Sequence, residues 1–259
     1  MARHIIHGLL IGFGVALGLG CATPAFANMA ACSSAYVKDS LEDKIRLYSL
    51  CLEGGLKRSE RAGAHHNRGV AYMDIGQPDK ALDDFNRSLE YDPDFGMGYF
   101  NRGIIYAQRS EFDLALEDFA QALKRPPARI RTSVYTQRGW VYAQMGDYAN
   151  ALADWDTAIE REKKYAPARL AKARVLATVP DPAFRDIAAA EAEARAVLAL
   201  EDSWDAHIVL AEVLAADGRF EEAVEEHWLG MYMMQQDGLP EDPEMTARLA
   251  RYQEGRAAQ

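Results

Sequence analysis

The sequence predicts an all-α chain built from repeated helical hairpins, and three observations carry that expectation. Residues 62–95 place small residues at Gly69 and Ala81, large aromatics at Tyr72 and Phe85, and turn formers at Gly76-Gln77-Pro78-Asp79 and Asp92-Pro93. That is the pattern of two amphipathic helices joined by a tight turn and closed by a proline stop. The frame returns at Gly103, Tyr106, Ala115, Phe119 and Pro127, then at Gly139, Tyr142, Gly146, Ala151, Trp155 and Ala158. Its glycines lie 34 and then 36 positions apart, a spacing that belongs to a structural repeat and not to one helix.

The chain opens on something else. Arg3 precedes the apolar run Leu9 to Leu19, which is followed by Thr23-Pro24-Ala25-Phe26-Ala27. A positive start, a short apolar stretch and an Ala-x-Ala site make a secretory signal peptide over residues 1–27, and the run is too short to span a bilayer comfortably. Cleavage after Ala27 removes one arginine and no acid, taking the net charge from −10 to −11. The alternative is a lipid anchor at Cys21, since Gly18-Leu19-Gly20-Cys21 loosely matches a lipobox that lacks its usual apolar residue. The expected location is therefore exported and periplasmic, or else tethered to a membrane as a lipoprotein. The surplus of acid argues against a lysine-lined nucleic-acid groove.

Cys32 and Cys51 are the cysteines left after cleavage, and an even pair in an exported chain is most simply a disulfide. Two buried thiols are the alternative, and no histidine lies near enough in sequence to suggest a metal. The stretch between them carries Leu41, Ile45, Tyr48 and Leu50 at helical spacing, starting near Asp39 or Ser40 and ending at Gly54-Gly55. Residues 28–61 thus form a helical cap tied to the mature N-terminus.

In spacing and order of key positions the three units resemble the tetratricopeptide repeat, a helix-turn-helix unit of about 34 residues. The leader adds a resemblance to exported bacterial members of that family. The resemblance implies a right-handed solenoid in which the small residues sit where helices cross at about 8–10 Å and the aromatics fill the space beside them. Three well-formed repeats cover residues 62–165, with Ile130-Arg131 as a small insertion. A degenerate repeat follows over 166–203, with Ala173 in the glycine place, Leu176 in the tyrosine place and a turn lengthened by Pro180-Asp181-Pro182. A fifth repeat covers 204–237, with Ala211, Leu214, Gly218, Phe220 and Ala223. Residues 238–259 form a tail with a short helix from Pro243 to Tyr252.

One departure from the family pattern is informative. The place before the glycine, usually a leucine, holds Arg68, Arg102 and Arg138, and the same repeats carry Asp84, Asp118 and Asp154 before the second-helix aromatic. A partly buried arginine demands a partner, so three structural Arg–Asp bridges are expected; the alternative is that each aspartate faces water.

Motifs for catalysis are missing: no HExxH, CxxC, GxSxG or phosphate loop occurs. The expectation is a non-enzymatic chain that needs no cofactor and binds no metal. The resemblance implies that first helices line an inner groove where peptides bind. By the frame, that face holds His66, Asn67, Val70 and Asp74, then Phe100, Asn101, Ile104 and Gln108, then Thr136, Gln137, Trp140 and Gln144. Asn67, Asn101 and Gln137 would form a ladder of amides suited to an extended backbone, with Phe100 and Trp140 giving apolar pockets. The face lacks the lysines of the family's clamps for acidic C-termini. The expected function is a protein-interaction scaffold of the cell envelope. An accessory subunit positioning a catalytic partner, such as a cell-wall-processing enzyme, is the alternative.

Overall fold

The structure, a computed structural model, describes residues 31–35, 40–125 and 127–255. The leader, with Cys21 and the Ala27 site, and the last residues of the tail lie outside the described residues. The described residues are helices joined by turns and short loops, with no strand among them, as the sequence predicts. They divide into two units at Pro93 and Asp94.

The first unit holds α1 (Leu41–Leu52), α2 (Arg58–Asp74) and α3 (Pro78–Tyr91), preceded by helical residues 31–35. Ser40 starts α1 by accepting the Asp43 amide at 3.3 Å, with Glu42 and Asp43 in the first turn, where acids suit the exposed amides and the helix dipole. Glu60 reaches back to the Lys57 amide at 2.8 Å and starts α2 in the same way. Cys32 and Cys51 are joined through their sulfurs with Cα atoms 5.2 Å apart, inside the window of about 4.4–6.8 Å that a disulfide spans. Around them Ala35, Tyr48 and Ala64 are buried together. The first hairpin is α2 with α3.

Among the described residues, the second unit contains four hairpins and a closing helix. Their helices are α4 (Gly96–Gln108) and α5 (Phe112–Lys124), α6 (Arg131–Gln144) and α7 (Tyr148–Arg161), α8 (Ala166–Thr178) and α9 (Ile187–Leu198), and α10 (Trp204–Ala216) and α11 (Phe220–Gln236). The closing helix is α12 (Pro243–Gln253), started by Asp242, whose carboxylate accepts the Glu244 amide at 2.9 Å. First helices of neighbouring hairpins lie side by side, α4 with α6, α6 with α8, and α8 with α10.

Within each hairpin the crossing is set by one pair of side chains. A Cβ built on Gly69 would lie 2.7 Å from the Phe85 ring, one on Gly103 2.8 Å from Phe119, and one on Gly139 2.8 Å from Trp155. Real Cβ atoms do not come so close, so glycine is what lets a large ring cross beneath the first helix. The last two hairpins change the pair: Ala173 and Ala211 stand in the glycine place, and the ring's place holds Ala194 in the fourth hairpin and His227 in the fifth. In the fifth hairpin the tight approach moves one turn along, where a Cβ on Gly230 would meet the Ile208 side chain and the Trp204 carbonyl at 2.9 Å.

The turns share one device. Gly76, Gly146 and Gly218 have φ of 71, 80 and 78°, the left-handed cap that lets the next amide bond the carbonyl five residues back. Those bonds run from Gln77 to Tyr72 at 2.8 Å, from Asp147 to Tyr142 at 2.8 Å and from Arg219 to Leu214 at 2.9 Å. Ser110 takes the same conformation at φ 60° without glycine's freedom. The lengthened fourth turn satisfies the equivalent carbonyl differently: the Asp186 amide bonds Leu176 O at 3.0 Å.

Candidate functional site

Each hairpin is cross-tied by a basic side chain on its first helix and a carboxylate on its second. Arg68 forks onto Asp84, with Nε and Nη2 donating at 2.7 and 2.8 Å. Arg102 forks onto Asp118 at 2.8 and 2.7 Å, and Arg138 onto Asp154 at 2.7 Å twice. All three aspartates are buried, and the partner is always in the same hairpin. Arg102 lies over Tyr99 and Tyr106, at 5.5 and 5.8 Å, and Arg138 over Tyr135 and Tyr142, at 5.4 and 5.8 Å. In the first hairpin His65 stands where those hairpins have Tyr99 and Tyr135, and its Nδ1 donates to Asp84 at 2.8 Å. Burial pushes the Asp84 carboxyl up, but the donors from Arg68 and His65 outweigh it and hold it below the usual carboxylate range. The hydrogen bonds that they donate to the aspartates raise the pKa of all three arginines, against the opposing effect of burial.

The cross-tie continues in the hairpins that lack an Arg–Asp pair at these places. Glu193 occupies the aspartate place of the fourth hairpin and is bonded by Arg169 and, at 3.3 Å, by Lys172. Glu226 occupies it in the fifth, where His207 Nδ1 lies 2.5 Å away. The signal that could have found them is positional: each carboxylate immediately precedes the residue at the crossing place of the second helix, whichever basic side chain answers it.

The inner face differs from the expectation in a systematic way. Three residues before the small residue, the side chain packs under the first helix instead of lining a groove. His66 lies against Phe85 with ring centres 5.7 Å apart, and Phe100, 5% exposed, lies 6.2 Å from Phe119. Thr136 is buried, its hydroxyl donating to Thr132 O at 2.9 Å while its own carbonyl accepts from Trp155 Nε1 at 3.1 Å. Phe100 therefore supplies core and no pocket, and His66 and Thr136 likewise face the second helix. Burial drives the His66 pKa to about 4, against a raising hydrogen bond to Asn67. The amide ladder is uneven too: Asn67 is exposed, Asn101 is buried at 9% and Gln137 is half-buried. Asp74, Gln108 and Gln144 are exposed.

One residue past the small position, a different row emerges in the second unit: Ile104, Trp140, Arg174 and Glu212 on α4, α6, α8 and α10. Arg174 Nε donates to Glu212 at 2.5 Å, and Arg248 of α12 bonds the other oxygen of the same buried carboxylate. The contact brings the side chains at this place on α8 and α10 face to face. The row is thus closed at its far end by an ion triad, while Trp140 stands 41% exposed with Gln144 one turn on. No described helix is long and apolar enough to cross a membrane.

Comparison with known proteins agrees with this geometry. The tetratricopeptide repeat model matches residues 62–95, and a second tetratricopeptide repeat model matches residues 136–181 and 183–227. No curated protein matches the chain. Among solved structures, TTC0263, a thermophilic TPR protein of Thermus thermophilus, is 23% identical with a TM-score of 0.61, covering 74% of this chain and 98% of its own. PilW, a type IV pilus biogenesis factor, is 16% identical with a TM-score of 0.65, covering 86% and 96%. YrrB, a TPR protein with an unusual peptide-binding site, is 17% identical with a TM-score of 0.52, covering 79% and 97%. At such identities the likeness is one of fold. The repeat matches, the hairpins and their glycine-over-ring crossings together make this chain a member of the tetratricopeptide repeat family.

Proposed function

We propose that this chain is an exported, non-enzymatic adaptor whose second unit holds an extended protein segment along the inner row of first helices, against Trp140. Repeats of this family build protein-interaction scaffolds. The observation that carries the site is Trp140 itself: a large ring left 41% exposed on a first helix, beside exposed Gln144, where core packing does not use it. An aromatic anchor flanked by amides suits a peptide, the ring covering an apolar side chain and the amides pairing its backbone. Peptide binding is also what the name of YrrB reports for that protein. Export rests on the leader and on the joined Cys32–Cys51 pair, since such bridges persist in oxidising compartments.

Two measurements test this. Intact mass of protein recovered from the exporting cell should show a chain starting at Asn28 and lighter by two hydrogens than its reduced form. Diacylglycerol on Cys21 would replace free export by tethering. A photo-crosslinker at Gln144 should capture a partner from the envelope fraction, and Trp140→Ala should weaken its titration about thirtyfold or more. Trp228→Ala, on another face of the unit, should leave that binding unchanged. Loss with Trp228→Ala and none with Trp140→Ala would discard the inner row as the working surface.

A further inference from the structure

The second hairpin helix of the fifth repeat carries a surface that the inner row does not explain. Helix α11 runs 17 residues against 14, 13, 14 and 12 for α3, α5, α7 and α9. Trp228 and Tyr232 project from its later turns, 58% and 46% exposed, their rings stacked 5.5 Å apart at 10°. Two exposed aromatics a turn apart leave a large apolar area in water, which a folded chain seldom keeps without use.

The same side of the helix is acidic one and two turns earlier. Glu221 and Glu225 are exposed and form no hydrogen bond or ion pair among the described residues. They flank a cleft of about 460 Å³ between α11 and the end of α12, whose apolar lining includes Phe220, Val224 and Tyr252. Val224 lies one helical turn before Trp228, so the cleft and the aromatic pair adjoin along one helix. An apolar lining beneath two unpaired carboxylates matches a lysine or arginine: the methylenes lie on Phe220 and Val224 while the charged end meets the acids.

We infer that the outer face of α11 is a second docking surface, for a protein segment that carries a basic side chain about two helical turns from an aromatic or large aliphatic one. Charge selects this occupant over a second copy of the chain, because the chain carries a net charge of −10 and two such faces would bring Glu221 and Glu225 against their own kind. The same acids disfavour an anionic membrane surface. The inference stands apart from the inner-row reading and does not need it.

The test uses the full chain and a blocked, fluorescein-labelled helical peptide with lysines on one turn and leucine and tryptophan two turns on. A second peptide has glutamate in place of every lysine. Binding of the lysine peptide should weaken with salt, fall about tenfold in Glu221→Gln with Glu225→Gln, and fall about thirtyfold or more in Trp228→Ala. Trp140→Ala should leave it unchanged, which separates this surface from the inner row. Equal binding of both peptides, or lysine-peptide binding indifferent to the glutamine pair, would overturn the inference. So would self-association abolished by Trp228→Ala, or Trp228-dependent binding to phosphatidylcholine vesicles without peptide binding. Thr246→Ala, an exposed change on α12, serves as a folding-neutral control.

Discussion

The second and third hairpins differ from the fourth and fifth in nearly every residue that defines a crossing, yet they solve the same two problems. In the former, glycine lets a Phe or Trp ring pass beneath the first helix, and an arginine between two tyrosines ties the hairpin through an aspartate. In the latter, alanine faces Ala194 or His227, and lysine, arginine or histidine answers a glutamate. What persists is a packed pair of positions at the crossing and a hydrogen-bonded carboxylate tied across the hairpin. The individual residues are exchangeable when both partners change.

The largest effect should come from splitting a charge pair. Asp118→Ala leaves Arg102 partly buried without its carboxylate and should cost about 3–5 kcal/mol in urea unfolding. Arg102→Leu should cost a comparable amount, because it strands Asp118, the more deeply buried partner, whereas changing both, Arg102→Leu with Asp118→Leu, should cost less than the two single changes together. Small, additive losses would mean that the ties do not distinguish the hairpins energetically.

Position matters next for acid stability. His66 is buried with its pKa lowered from 6.5 to about 4, whereas the equivalent residue of the third hairpin is Thr136, which does not titrate. Between those pH values the unfolded chain binds the proton that the folded chain excludes. Stability from this group is therefore complete above pH 6.5 and falls as pH drops toward about 4, by about 3 kcal/mol. His227, its pKa also lowered chiefly by burial, acts in the same direction. Unfolding free energies of wild type and His66→Thr from pH 7 to 4.5 should converge on acidification, and parallel curves would refute the assignment.

Gly103→Ala should cost about 2 kcal/mol through the clash with Phe119, despite alanine's better helix propensity. In a Phe119→Ala background that cost should shrink by about 1 kcal/mol or more, the coupling expected of side chains in contact. Smallest, and opposite in sign, Ser110→Gly should stabilise by about 0.5–1 kcal/mol, since it gives the second turn the residue that its left-handed φ favours in the first, third and fifth. Thermal unfolding resolves both signs.

The hairpins, the glycine crossings and the three arginine–aspartate pairs were legible because the same residue types recur at a fixed spacing. The docking face was legible only in part. Phe100 and Trp140 are both large aromatics on first helices, but they lie on different sides of them: Phe100 precedes its small residue by three and Trp140 follows by one. Spacing alone assigns both to the groove, and contact with Phe119 decides otherwise. Glu193 and Glu226 escape a pattern that follows one arginine position. A tie can use the place three residues earlier, as Arg169 and His207 do.

The fourth hairpin's exchange of glycine-and-ring for alanine-and-alanine has a consequence for how the helices find their partners during folding. Near-identical hairpins invite mistaken pairing, and the arginine–aspartate ties cannot prevent it, since Arg102 would accept Asp154 as readily as Asp118. Between the glycine hairpins and the fourth, volume supplies an address that charge does not. If α8 paired with α5, the Ala173 methyl would stand where the second hairpin has no atom and the Phe119 ring passes. If α4 paired with α9, Gly103 would face Ala194 across an empty space. Two vocabularies of size within one chain make the wrong sentence unreadable.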